Sequence, residues 1–147
     1  MQSFRFRLER ILAWRRKEFE AEQARLGTIA AERQRLEAAQ RAILAAWDRS
    51  ARDLLASGSV DGGDLAALGG FRARLERELE ANARLRREAA ERLSGQRART
   101  LEAQRRVRLL EKLRERRLGE WRVSWERELE SLANDAFLAR WPPAHGG

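Results

Sequence analysis

Apolar residues recur along the first third of the chain in alternate steps of four and three. From Leu8 the steps pass through Leu12, Arg15, Phe19, Glu22, Leu26, Ile29, Arg33, Leu36, Gln40, Ile43, Trp47, Ser50 and Leu54, and nine of these fourteen positions are large and apolar. A period averaging 3.5 residues keeps one helical face against a partner helix, so the pattern predicts an interrupted coiled-coil seam. A second run, through Leu68, Leu75, Leu79, Ala89, Leu93, Ala103, Val107 and Leu110, predicts a second helix of the same kind. Between them five of the ten glycines fall within Gly58 to Gly70, and the stretch Ser57-Gly58-Ser59-Val60-Asp61-Gly62-Gly63-Asp64 reads as a turn. Asp64 is placed to cap the second helix. The two prolines, Pro142 and Pro143, stand near the end of the chain, so none interrupts either helix.

The fold expected is all-α: two long helices in an antiparallel coiled-coil hairpin over residues 1–141, the second helix longer. Its parts are a helix over about 4–56, a turn over about 57–63, a helix over about 64–140, and a disordered tail at 142–147. With the turn centred near Asp61, the numbers of facing residues sum to about 122. Leu12 then faces Leu110, Ile29 faces Leu93, Ile43 faces Leu79, Trp47 faces Leu75 and Leu54 faces Leu68. Phe19 meets Ala103, the mid-helix glycines Gly27 and Gly95 fall opposite each other, and Gln40 faces Asn82 in a polar layer that fixes register. Residue 4 pairs with 118, which leaves 119–141 without a partner in the chain. That overhang carries Trp121, Trp125, Leu129, Leu132, Phe137 and Trp141.

Composition narrows the function classes. Charged residues make up 37% of the 147, too many for a thick core but suited to a narrow seam. Valine occurs three times and tyrosine never, so strand-forming residues are scarce. The absence of cysteine excludes disulfides and thiolate metal sites and fits a reducing cytoplasm. No stretch approaches the ~20 apolar residues of a membrane span, and no signal peptide is expected at the start.

Candidate chemistry is sparse. The single histidine, His145, falls in the expected tail. No phosphate-cradling glycine motif accompanies Gly62-Gly63 or Gly69-Gly70, and a two-helix hairpin offers no pocket to perturb a pKa. The expectation is a non-enzymatic protein with no catalytic residue, no metal, no cofactor and no small-molecule substrate. The net charge of +8 comes from 31 basic residues, 29 of them arginine, against 23 acidic ones. Arg105-Arg106, Arg114, Arg116-Arg117 and Arg122 form a basic run that could attract nucleic acid. Glu111, Glu115 and Glu120 interrupt it, and a solvated coiled-coil face explains these charges about as well.

The two ends together resemble a known family. Phe4-Arg5-Phe6-Arg7-Leu8-Glu9-Arg10-Ile11-Leu12-Ala13-Trp14-Arg15 is similar to the opening of the flagellar export protein FliJ family, F-x-F-x-L-x-x-[VIL]-L-x-x-R. Leu110-Glu111-Lys112-Leu113-Arg114-Glu115-Arg116-Arg117, followed by Trp121 and Glu126-Arg127-Glu128, resembles its distal segment. The chain departs from the pattern where an Asp-Glu pair commonly closes that segment and Asn134-Asp135 stands here. The resemblance implies a cytoplasmic coiled-coil stalk of a bacterial type III export apparatus, peripheral to the inner membrane. Its implied partners are a hexameric export ATPase, the export-gate membrane protein and export chaperones. By that resemblance the ring-contact residues are Phe4, Phe6, Leu8, Arg15, Arg16, Arg114, Arg117, Trp121 and Trp125. Gate or chaperone contacts fall to Trp47, Leu54, Phe71 and Leu75, although Trp47 and Leu75 also sit in the seam. The alternatives are a generic dimerising coiled-coil scaffold and a basic nucleic-acid-binding coil.

Overall fold

The structure, a computed structural model, describes residues 3–141 and consists of two helices, α1 (Glu9–Ala56) and α2 (Gly62–Arg140). They pack against each other as a helical hairpin in which α2 is the longer, and no strand occurs among the described residues. The expected tail at 142–147, with its prolines and His145, lies outside the described residues. Both helices run through two compact units, one of Glu20–Glu102 and the other of Met1–Phe19 with Ala103–Gly147.

The unit of Glu20–Glu102 contains the turn. Gly58 follows the last turn of α1 with φ of 77°, a left-handed conformation that a side chain would strain. The Ser57 hydroxyl donates to the Leu54 carbonyl at 2.7 Å, and the Ser57 amide to the Asp53 carbonyl at 3.2 Å, satisfying two of the last carbonyls of α1. The cap of α2 is Asp61, three residues before the Asp64 expected from the sequence. Asp61 Oδ1 accepts from the Asp64 amide at 2.7 Å, while Asp64 Oδ2 accepts from the Asp61 amide at 3.2 Å. This reciprocal pair is a capping box built from two aspartates, and it moves the helix start back to Gly62.

In the same unit the α1 seam follows the stepped positions from Glu22 to Leu54, all buried or half-buried except Arg33. Arg33 turns outward to Glu37 at 3.1 Å, and its neighbour Glu32 reaches across to Arg92 at 2.8 Å. Ile43, Trp47, Leu75 and Leu79 line one small open pocket of about 140 Å³, which brings the residues expected to face one another to the same place in the seam. Polar layers differ from expectation. Asn82 is buried, but it donates from Nδ2 to the Leu36 carbonyl at 3.0 Å and accepts from Arg86 Nε at 2.8 Å, in place of a pairing with Gln40. A second buried amide, Gln96, donates to the Glu22 carbonyl at 3.2 Å and to the Glu22 carboxylate, with Thr100 beside it. Gly27 and Gly95 share a level but are both exposed, with nothing within 4 Å of where a Cβ would sit.

The hydrogen bond from Arg92, reinforced by the charge of that guanidinium, holds the Glu32 carboxyl below its usual range and raises the Arg92 value. Both groups are open to water, so this is a small interaction.

In the unit of the chain ends, Leu12 is fully withdrawn from water, and Ala103 and Val107 are buried. Arg16 pairs with Glu111 at 3.3 Å, Glu18 with Arg106 at 3.6 Å and Glu9 with Arg114 at 3.0 Å. Helix α1 starts at Glu9 and not near residue 4. A geometric reason fits: at 100° per residue a helix would put Phe4 and Leu8 on one side and Phe6 on the other, so it could not turn all three toward α2. In the structure these three are half-buried, and Ser3, Arg5 and Arg7 between them are exposed.

Candidate protein-binding site

Residues 3–8, the strap, form one side of the site: 3–6 are non-helical and Arg7 and Leu8 turn into α1. A non-helical chain can rise by up to about 3.3 Å per residue against 1.5 Å in a helix, so the strap reaches further along α2 than a helical start would. Phe4 therefore meets Trp121, with ring centroids 6.1 Å apart and planes at 56°, beyond the level of 118 where a helical residue 4 would lie. Trp121 in turn stacks on Trp125 one helical turn on, at 5.8 Å and 8°. The amide of Glu9 donates to the Phe6 carbonyl at 3.1 Å, closing the turn that leads from strap into α1.

Cations surround this aromatic row. The Arg114 guanidinium lies 5.7 Å from the Phe4 ring centre while its Nε donates to Glu9 at 3.0 Å, a placement that holds the strap to the start of both helical faces. Arg117 pairs with Glu120 at 3.4 Å. Strap and α2 together bound an open cleft of about 1130 Å³, lined by the strap and by Leu113, Arg117, Glu120, Trp121 and Ser124.

Of the nine residues expected at the ATPase contact, Phe4, Phe6, Leu8, Arg117 and Trp121 line this cleft, and Arg114 and Trp125 touch its aromatic members. Arg15 and Arg16 are not among them. Arg15 binds Glu18 at 2.9 Å and lies 4.6 Å over the exposed Trp14 ring, while Arg16 is turned to Glu111. The sequence reading missed Ser3, Arg5, Arg7, Leu113, Glu120 and Ser124. The signal was present in the alternation of Phe4, Phe6 and Leu8 with Ser3, Arg5 and Arg7, which has a period of two and not 3.5.

The overhang is shorter than expected. Trp121 and Trp125 are half-buried under and beside the strap, so the bare stretch begins at 126. From there every residue to 141 is exposed, including Leu129, Leu132, Phe137 and Trp141. The Phe137 and Trp141 rings lie against each other, at 5.7 Å.

The second group of expected contacts belongs to the unit of Glu20–Glu102. Leu75 is 5% exposed and is a seam residue, with no surface left for a partner. Trp47 is half-buried in the seam with the Arg72 guanidinium 5.5 Å from its ring centre. Leu54 and Phe71 are half-buried, and Arg74 lies 5.3 Å over Phe71.

Charge divides the chain sharply. The unit of Met1–Phe19 with Ala103–Gly147 carries sixteen of the 31 basic residues and nine of the 23 acidic ones, and so holds +7 of the +8. Within it the acidic share collects in the bare stretch, where Glu126, Glu128, Glu130 and Asp135 outnumber Arg127 and Arg140. No group of three or more potential metal ligands occurs among the described residues, and none of their helices is long and apolar enough to cross a membrane. No protein-family model, curated protein or solved structure matches the chain.

Proposed function

We propose that this chain is a non-enzymatic coiled-coil stalk of a bacterial type III, flagellar-like, protein export apparatus, bound to a hexameric export ATPase through its strap end. The reading rests on the resemblance of both chain ends to the FliJ family. The single structural observation that carries it is the joining of those ends into one aromatic, arginine-rich surface. Phe4 from the first motif and Trp121 from the second are in ring contact, with Arg114 over Phe4. Aromatics and arginines are the residues most often found to dominate binding energy in protein contacts. In this reading the stalk works in the cytoplasm at the inner membrane, and the unit of Glu20–Glu102 serves the export gate and chaperones through Leu54, Phe71 and Trp47.

The test is titration of the purified chain into an export ATPase, following ring assembly and ATP hydrolysis. Trp121→Ala or Trp125→Ala is expected to weaken the effect about tenfold or more, as loss of a central aromatic does. A wild-type chain that leaves assembly and hydrolysis unchanged at saturating concentration overturns the reading. The excess of +7 near the chain ends also favours a basic nucleic-acid-binding coil. That alternative predicts duplex binding that falls steeply with salt.

A further inference from the structure

The bare stretch of α2 and the strap cleft are opposite in charge and alike in apolar character. The cleft presents Arg5, Arg7 and Arg117 around Phe4, Phe6 and Trp121, with Glu120 its one lining carboxylate. Arg5 and Arg7 have no ion partner among the described residues. The bare stretch offers Leu129, Leu132, Phe137 and Trp141 to solvent, flanked by Glu126, Glu128, Glu130 and Asp135, which also lack ion partners among the described residues. Large apolar side chains exposed together on one bare stretch of helix are a contact surface waiting to be covered.

One chain cannot bring the two together. Both lie on α2, which is continuous through the cleft to Arg140 and contains neither glycine nor proline between Gly119 and Trp141. Residues 126–141 therefore run on from the cleft along the helix and cannot turn back into it without breaking backbone hydrogen bonds. Pairing two bare stretches with each other would set a net-acidic helix, with four carboxylates to two arginines, against its like. Pairing two clefts would set the three arginines of one against those of the other. The combination that matches charge in both places is stretch to cleft.

We infer that two copies of this chain associate reciprocally, the acidic, apolar stretch 126–141 of each docking in the basic, aromatic strap cleft of the other. Such an arrangement is isologous and closes after two copies, so each contact is made twice. The inference does not depend on the stalk reading, since it concerns the chain on its own.

Sedimentation equilibrium of the full chain at ~0.05 M and ~0.5 M salt is the first measurement, because screening at the higher value shortens the reach of charges to a few ångströms. The expected result is a dimer that weakens as salt rises. The triple variant Glu126→Lys, Glu128→Lys, Glu130→Lys is expected to weaken dimerisation at least tenfold, as is Arg5→Glu, Arg7→Glu, Arg117→Glu. An equimolar mixture of the two variants should recover both reciprocal contacts, one native and one with its charges exchanged, and associate more tightly than either alone. The native chain has no cysteine, so disulfides report proximity cleanly. Ser124→Cys chains mixed with Ser131→Cys chains should cross-link faster than Ser131→Cys chains alone. Circular dichroism confirms that each variant keeps its helices. A chain that stays monomeric throughout overturns the inference. So does a dimer indifferent to both charge reversals, or faster cross-linking of Ser131→Cys to itself.

Discussion

Leu12 is the side chain most completely removed from water, and burial of such a leucine contributes about 1.5–3 kcal/mol. Few others match it, and the seam elsewhere is shared with amides and carboxylates. Glu22 looked like an interruption among the stepped apolar positions. The structure gives it a partner that the second stepped run passed over, the buried amide of Gln96, which uses both the backbone and the carboxylate of Glu22. Polar seam residues are legible as seam by their spacing, but their partners are not, because an amide chooses among several oxygens within reach. Glu32 and Arg92 show what such a contact does with pH. The folded state holds the Glu32 carboxyl below its unfolded value, so the pair's contribution is present above the ordinary glutamate pKa of about 4.3 and is lost as pH falls through the lower folded value. Following the Glu32 carboxyl by NMR should show titration below the ordinary glutamate range, and Arg92→Ala should return it to that range. An unchanged titration in the variant would contradict the assignment.

The two helices and the turn between them were legible because heptad spacing, the lack of proline and the glycine cluster agree with one another. The turn is two residues shorter than the expected 57–63, because α2 starts at Gly62, and its cap was assigned to the wrong aspartate. Asp61 and Asp64 are both suitable residues, and only the backbone geometry shows that each caps the other. The strap was misread as helix because the apolar residues Phe4 and Leu8 fit a four-residue step, and Phe6 between them does not. Glycine positions now separate by role. Gly58→Ala is expected to cost about 1 kcal/mol, since φ of 77° is disfavoured for a side chain. Gly27→Ala and Gly95→Ala are each expected to stabilise the hairpin by about 0.5–1 kcal/mol, because each glycine sits in an exposed helix interior with open space for a methyl group. Urea-unfolding midpoints moving in opposite directions for the two classes would bear this out, and a shift of the same sign would refute it.

Stability should be uneven along the chain. Amides of the seam are protected by packing, whereas 126–140 is a bare helix of a length that is marginal in water without a partner. Hydrogen exchange followed by mass spectrometry should show fast exchange over 126–140 in dilute protein and slow exchange along the seam. Protection that rises with protein concentration is expected only in that stretch and at the strap. Uniform protection along α2 would mean that the end of the helix is held by something other than a second copy.

The strap makes one more demand on the sequence. A helix meets a single-residue deletion with a rotation of about 100°, which a partner can partly absorb over the next turn. Along the strap exposed and half-buried residues alternate, so its readout is one of parity. Removing Arg7, for example, would exchange odd for even, turning Arg5 and Ser3 toward α2 and Phe4 and Phe6 toward water. Residues 3–8 can thus change in kind more readily than in number, and their length is as much a part of the cleft as the aromatic rings they carry.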